Sequence, residues 1–149
     1  MAQHKSNSSV QKWAEQLILQ TVKDELNLNF SPCEECEEIA RLGVCPDGVD
    51  VNNKTVIEVY SHVGKLKGAQ LHKIKGDILK LVYIDKSLNS EWKKLICFCD
   101  NEAANFLLGD SWAARAAKIF GIQIHIAEID SDAKKKITDA QTKQLMVNA

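Results

Sequence analysis

Two acids, Asp47 and Glu58, stand eleven positions apart in a stretch that reads as two short strands folded back on each other, Cys45-Pro46-Asp47-Gly48-Val49-Asp50-Val51-Asn52-Asn53-Lys54-Thr55-Val56-Ile57-Glu58-Val59-Tyr60. Val49 and Val51 are the apolar positions of the first strand. Thr55 to Tyr60 is β-branched and aromatic, the composition of a pleated, half-buried surface. Asn52-Asn53 tolerates positive φ and predicts a tight two-residue turn. That turn sets Val51 opposite Lys54, Asp50 opposite Thr55, Val49 opposite Val56 and, further out, Asp47 opposite Glu58. Opposed residues of an antiparallel pair share a face, with Cβ atoms about 5 Å apart. Two carboxylates so placed repel unless a positive charge lies between them, and a hard divalent cation such as Mg²⁺ or Mn²⁺ takes such oxygen ligands. The alternative is that Asp47 opens the strand as part of a Pro-Asp-Gly turn while Glu58 is solvated.

Positive charge gathers nearby. Lys65, Lys67, His72, Lys73 and Lys75 crowd the glycine-punctuated loop and helix start after Tyr60, where Gln70 and Lys73 project toward the end of the Glu58 strand. Lys75 and Lys80 read as solvated helix lysines, and Glu15 as a helix charge at the margin of an apolar stripe. Cys33, Cys36 and Cys45 fall within thirteen positions and offer three ligands for zinc, but no second C-x-x-C follows and Glu34-Glu35 fills the first, so structural zinc is disfavoured. Five cysteines, an odd number, with Cys97 and Cys99 inside an apolar run, read as reduced thiols rather than a disulfide framework.

The elements that must position these groups follow from periodicity. A loose polar arm, 1–8, precedes a helix capped by Ser8 or Ser9 and running to about Leu26, with Val10, Trp13, Ala14, Leu17, Ile18 and Val22 on one side. A short acidic helix, Glu34 to Arg41, ends at Gly43. After the hairpin, a helix from about Gly68 to Ile84 carries a buried stripe (Leu71, Ile74, Ile78, Leu81, Val82) beside a polar one (Gln70, Lys73, Asp77, Lys80). The apolar run after Lys94 predicts a strand buried on both faces. Asp100-Asn101 caps a helix through Leu108, and Asp110-Ser111 caps another from Trp112 to Phe120. A buried strand, Ile122 to Ile129, and a last helix, Ser131 to about Met146, complete the chain. The thin apolar stripe of that helix suits loose packing or a partner subunit. The order predicts an α/β protein: a mixed sheet with helices on both faces, in a single domain spanning 1–149.

Formal net charge is −1 with 26% charged and 45% hydrophobic residues, the composition of an ordinary globular protein rather than one that coats nucleic acid by bulk electrostatics. No apolar run reaches the roughly 18 residues of a membrane helix, and the N-terminus lacks a signal core. A cytoplasmic location is expected.

In this order of elements, Pro46-Asp47 and Ile57-Glu58-Val59-Tyr60 resemble the paired motifs of the PD-(D/E)XK nuclease superfamily, and Gln70-x-x-Lys73 looks like the motif that often follows. The resemblance covers roughly residues 10 to 130. It implies a restriction-endonuclease-like core and metal-assisted phosphodiester hydrolysis. Asp47 and Glu58 would hold Mg²⁺ or Mn²⁺, with Glu15 a water-mediated third ligand. Lys73 would stabilise the transition-state charge, Gln70 would orient water or phosphate, and Lys65, Lys67 and Lys73 would contact nucleic acid, DNA in preference to RNA. Small nucleases of this kind often work as homodimers. The departure is Tyr60, which stands where the family has a lysine. Tyrosine is no permanent cation, so the resemblance also admits a degenerate member that binds nucleic acid or a partner without cutting.

Overall fold

The computed structural model describes residues 2–89 and 91–148, with side chains from 9 to 146. Met1, in the expected N-terminal arm, and Ala149 lie outside the described residues. The elements are α1 (Ala2–Leu26), a 3-10 turn (Cys33–Glu35), α2 (Glu37–Ala40), β1 (Gly48–Asp50), β2 (Thr55–Tyr60), α3 (Ala69–Ser87), β3 (Lys93–Phe98), α4 (Asn101–Leu108), α5 (Trp112–Ile119), β4 (Ile122–Ile126) and α6 (Ser131–Asn148). The protein is α/β: one four-stranded mixed sheet in the order β1-β2-β3-β4, antiparallel between β1 and β2 and parallel elsewhere. A short turn forces β1 and β2 to run antiparallel, while parallel neighbours need a crossover. Here α3 supplies one crossover and α4 with α5 the other.

The sheet is covered on both sides. Val56 and Tyr60 of β2 and Ile96 and Phe98 of β3 pack with Ile74, Ile78, Leu81 and Ile84 of α3 and with Ala103, Ala104, Leu107 and Ala117 of α4 and α5. On the other face, Ile57, Val59, Leu95 and Cys97 meet Ala14, Ile18 and Val22 of α1 and Ile137 of α6. Residues i and i+2 of a strand share a face. Glu58, between Val56 and Tyr60, therefore points at α3. Burial of each large side chain in these layers is worth roughly 1.5–3 kcal/mol.

The β1–β2 register is the expected one, with Val49 opposite Val56 and Asp50 opposite Thr55. The turn differs in detail. Positive φ falls on Lys54 (46°), not on the two asparagines. The buried Asp50 carboxylate accepts from the backbone N–H and side-chain amide of Asn53 and from the N–H of Asn29, which holds the asparagines in place and passes the left-handed step to Lys54. Burial works to raise the Asp50 pKa, but these hydrogen bonds outweigh it and hold the pKa below its usual value. Gly48 sits where a Cβ would come within 3.1 Å of Phe30 and 3.2 Å of Leu19, so its lack of a side chain lets that layer close on β1 beside Asp47.

Several expectations need correction. Helix α1 starts at Ala2, not at Ser9, because nothing in the polar arm breaks a helix once it is nucleated. The acidic helix splits into the 3-10 turn and α2 at Cys36. Asp100 occupies the N-cap position of α4, but its side chain makes no cap bond; its Oδ2 accepts from Gly64 N at 2.8 Å and its Oδ1 lies 3.6 Å from Lys134 Nζ. Ser111 does cap α5, accepting from Ala114 N. The last strand stops at Ile126 and is only partly buried, as befits a sheet edge. Helix α6 packs against this same chain: Ala133 and Ile137 are buried, Lys136 Nζ lies 4.0 Å above the Trp13 ring, and Gln141 bonds both N–H and C=O of Val63. Most consequentially, Cys33 and Cys45 form a disulfide where reduced thiols were expected. The chain reversal between them brings their Cα atoms to 5.7 Å, a proximity that spacing alone does not reveal. Cys36, Cys97 and Cys99 are buried free thiols. No described helix is long and apolar enough to cross a membrane.

Candidate functional site

Strand β2 delivers Glu58 to the α3 side of the sheet, 3% exposed. Asp47, one step before β1 and opposite it by extension of the register, is exposed at the sheet rim. Its Oδ2 accepts from Val59 N at 2.8 Å, so the side chain takes the place of the next rung of the ladder. That fixes the carboxyl on the Glu58 side of the rim, near enough for it to push the Glu58 pKa up. The third turn of α3 adds Lys80 and Asp77. Lys80 Nζ lies 2.9 Å from Glu58 Oε1 and 3.7 Å from Asp77 Oδ1. Tyr60, two positions after Glu58 on the same face, donates its hydroxyl to Asp77 Oδ2 at 2.6 Å.

The electrostatics are unusual for a glutamate. Burial, then the Asp47 carboxyl, pushes the Glu58 pKa to about 8, with Lys80 pulling the other way and Asp77 adding to the rise. The Lys80 ammonium offsets charge at 2.9 Å, yet the contact is an ion pair without hydrogen-bond geometry, and Glu58 Oε1 is buried with no other donor. An orphaned buried acceptor beside a second carboxyl is what a hard cation would satisfy. Burial works against the charge of Lys80, but Glu58, Asp77 and Asp47 outweigh it and raise its pKa. Burial, then the hydrogen bond to Asp77, drives the Tyr60 phenol far above its usual range. Tyr60 is therefore a fixed donor and no general base.

A stability consequence follows from Glu58. Its folded pKa of about 8 exceeds the ordinary 4.5, so between those values the folded protein holds a proton that the unfolded chain has released. The associated stability is complete below about pH 4.5 and is lost as pH rises through about 8, by on the order of 4 to 5 kcal/mol. In urea unfolding with chelator present, wild type minus Glu58→Gln is expected to fall by that amount between about pH 5 and about pH 9. A flat difference would show that Glu58 is not held protonated.

The other expected residues go elsewhere. Lys73 Nζ lies 5.0 Å above the Tyr60 ring rather than beside the acids. Gln70 bonds His62 Nδ1 at 2.9 Å and accepts from Lys67 N. Glu15 is bonded by Gln11. Glu15, His62, Lys67, Gln70 and Lys73 line a cleft of about 550 Å³ between α1, α6 and the start of α3. Asp47, Glu58 and Lys80 are not among its walls, whereas Tyr60 is. Burial holds the pKa of His62 below its usual value. Lys65 is exposed and outside that cleft. Lys80 and Asp77 were missed, although the polar stripe Gln70-Lys73-Asp77-Lys80 already signalled them: it runs beside the apolar stripe that α3 lays on β2, so its second half had to pass over Glu58.

Among the described residues, Cys33, Glu34 and Cys45 form the one group that brings three ligand atoms within 4.8 Å of one another. Asp47 and Glu58 supply two, and Glu15 does not join them. Comparison of the chain with protein families, curated proteins and solved structures yields no match.

Proposed function

We propose that this chain is a metal-dependent phosphodiesterase acting on nucleic acid, with Asp47 and Glu58 as the ligands of Mg²⁺ or Mn²⁺. The observation that carries the reading is the convergence of Asp47, Glu58 and Lys80: two carboxyls opposite each other across the β1–β2 ladder, that of Asp47 held there by Val59 N, and a lysine ammonium 2.9 Å from that of Glu58. Lys80 supports the resemblance to PD-(D/E)XK nucleases where Tyr60 weakened it, because a cation from α3 stands beside the acid pair. When bound, the metal supplies Lewis-acid polarisation and a nucleophilic water at neutral pH. The chain does the rest. Asp47, locked to Val59 N, and Glu58, fixed in β2, set the position of the ligand oxygens. To hold the metal, Glu58 would give up its proton. Lys80 places positive charge where a phosphoryl oxygen gains negative charge. Asp77 and Tyr60 hold that lysine and each other, so the ammonium is aimed before substrate arrives. Lys67 and Lys73, along the neighbouring cleft, offer contacts to phosphates beyond the scissile one.

A second reading, nucleic-acid binding without cleavage, is favoured by Tyr60 itself, whose hydroxyl is committed to Asp77 and contributes no cation. Mn²⁺ titration by calorimetry and cleavage of single- and double-stranded oligonucleotides separate the two. The enzyme reading expects Mn²⁺ binding with release of about one proton near pH 7, lost in Asp47→Ala. It also expects cleavage that stops with chelator. Oligonucleotide binding with no cleavage under any metal would leave the second reading, and unchanged Mn²⁺ affinity in Asp47→Ala would sink the first.

A further inference from the structure

Just before the acid pair in the chain, the Cys33–Cys45 bond ties the 3-10 turn to the residue preceding Pro46-Asp47. Glu34 adds a carboxylate oxygen within 4.8 Å of both sulfurs. The sulfurs are held together by the disulfide itself; once it is reduced, two thiolates and the Glu34 carboxylate at the same chain reversal are a mixed donor set of the kind zinc accepts. In a tetrahedral site with Zn–S bonds near 2.3 Å the sulfurs stand about 3.8 Å apart, a distance that two bonded cysteines reach by side-chain rotation once the bond between them is broken. The surroundings are acidic: Glu34, Glu35, Glu37 and Glu38 sit on or beside the same turn. A pair of thiolates there is repelled by its neighbours, and a divalent cation removes that repulsion.

We infer that Cys33, Cys45 and Glu34 form a zinc-class cation site when the Cys33–Cys45 bond is reduced, so that the same link is held by a covalent bond in oxidising surroundings and by a metal in reducing ones. The conversion balances with a dithiol as reductant. One thiolate of the dithiol attacks a sulfur of the disulfide and expels the other cysteine; its second thiolate closes on the mixed disulfide and expels the first. The dithiol leaves as a cyclic disulfide, having given two electrons and two protons, and the protein holds two thiols. Binding of Zn²⁺ then releases those two protons, and water fills the fourth position. Cys36 stays out of the site. It is buried, and its Sγ contacts the Pro32 carbonyl at 3.6 Å instead of facing the disulfide. Either form of the link anchors Pro46-Asp47, so the inference stands whether or not the acid pair cleaves nucleic acid.

The test is Co²⁺ and Zn²⁺ titration of the full chain before and after reduction by a water-soluble phosphine, which removes the link without competing as a thiol. Reduced protein is expected to take one equivalent of Co²⁺ with a thiolate-to-cobalt charge-transfer band in the near ultraviolet, displaced by Zn²⁺, while the oxidised protein gives no such band. Cys45→Ser abolishes the band. Glu34→Gln, an exposed change that leaves the disulfide able to form, weakens binding roughly tenfold or more, and Cys36→Ser leaves it unchanged. A band of full strength in Cys45→Ser, loss of the band in Cys36→Ser, unaltered affinity in Glu34→Gln, or no band in reduced wild type overturns the assignment.

Discussion

Lys80→Met is expected to lower metal-dependent phosphodiester hydrolysis by about 10²–10³-fold in turnover, the usual loss when one preorganised charge at a transition state is removed. Lys73→Met is expected to change turnover by less than about tenfold and to act mainly on KM. The contrast rests on position. Lys80 Nζ is 2.9 Å from Glu58 Oε1 and 3.7 Å from Asp77, on the third turn of a nineteen-residue helix. Lys73 Nζ is stacked 5.0 Å over the Tyr60 ring and faces the cleft. A phosphodiester that reached the acid pair would meet Lys80 at the reacting group and Lys73 some way along the chain of phosphates. Steady-state kinetics on an oligonucleotide at saturating Mg²⁺ separates the two roles. Equal turnover losses at both lysines, or the larger loss at Lys73, would mean that the cation of this site has been assigned to the wrong turn of the helix.

Asp85→Ala is expected to destabilise the fold by about 3–5 kcal/mol, or roughly 10 °C in Tm for a chain of this length. Lys94 opens the buried part of β3 and its Nζ meets Asp85 Oδ2 at 2.6 Å, with the side chains 9% and 6% exposed. Asp85 Oδ1 accepts from Trp92 N, so one carboxylate satisfies both the lysine and the chain entering β3. Removing it leaves an ammonium and an amide buried without a partner. Burial works to raise the Asp85 pKa, but Lys94 and the Trp92 N–H outweigh it and lower it from 3.8. The sign follows: the contribution is present above about pH 3.8 and fades as pH falls through the depressed folded value. Thermal and urea unfolding near pH 7 measure the loss, and Asp85→Leu with Lys94→Met is expected to recover most of it, because an apolar pair of similar volume leaves no charge behind. A single-mutant cost under about 1 kcal/mol would place the pair in the class of solvated surface bridges.

The amino-acid sequence by itself determined what local rules govern. Alternation of Val49, Val56 and their neighbours, with a turn at 51–54, was enough to set the β1–β2 register and thus to put Asp47 opposite Glu58, because a slip of one residue would turn every side chain to the wrong face. The apolar stripe of α3, the double burial of β3 and the Ser111 cap were legible for the same reason: each depends on residues within a few positions. Tertiary structure decided the rest. Lys80 looked like a solubility lysine until α3 docked on β2, and its azimuth on the sheet, not its spacing, placed its ammonium at Glu58. Glu15, Gln70 and Lys73 went to a separate cleft because the start of α3 comes up against α1 and α6, whereas its third turn lies over Glu58 on the other face from them. The raised pKa of Glu58 needed burial between two layers, and the Cys33–Cys45 bond needed a chain reversal that no cysteine count predicts. Periodicity fixes which way a side chain points from its own backbone; what it then meets, when the partner lies tens of residues away, is settled only when the layers pack.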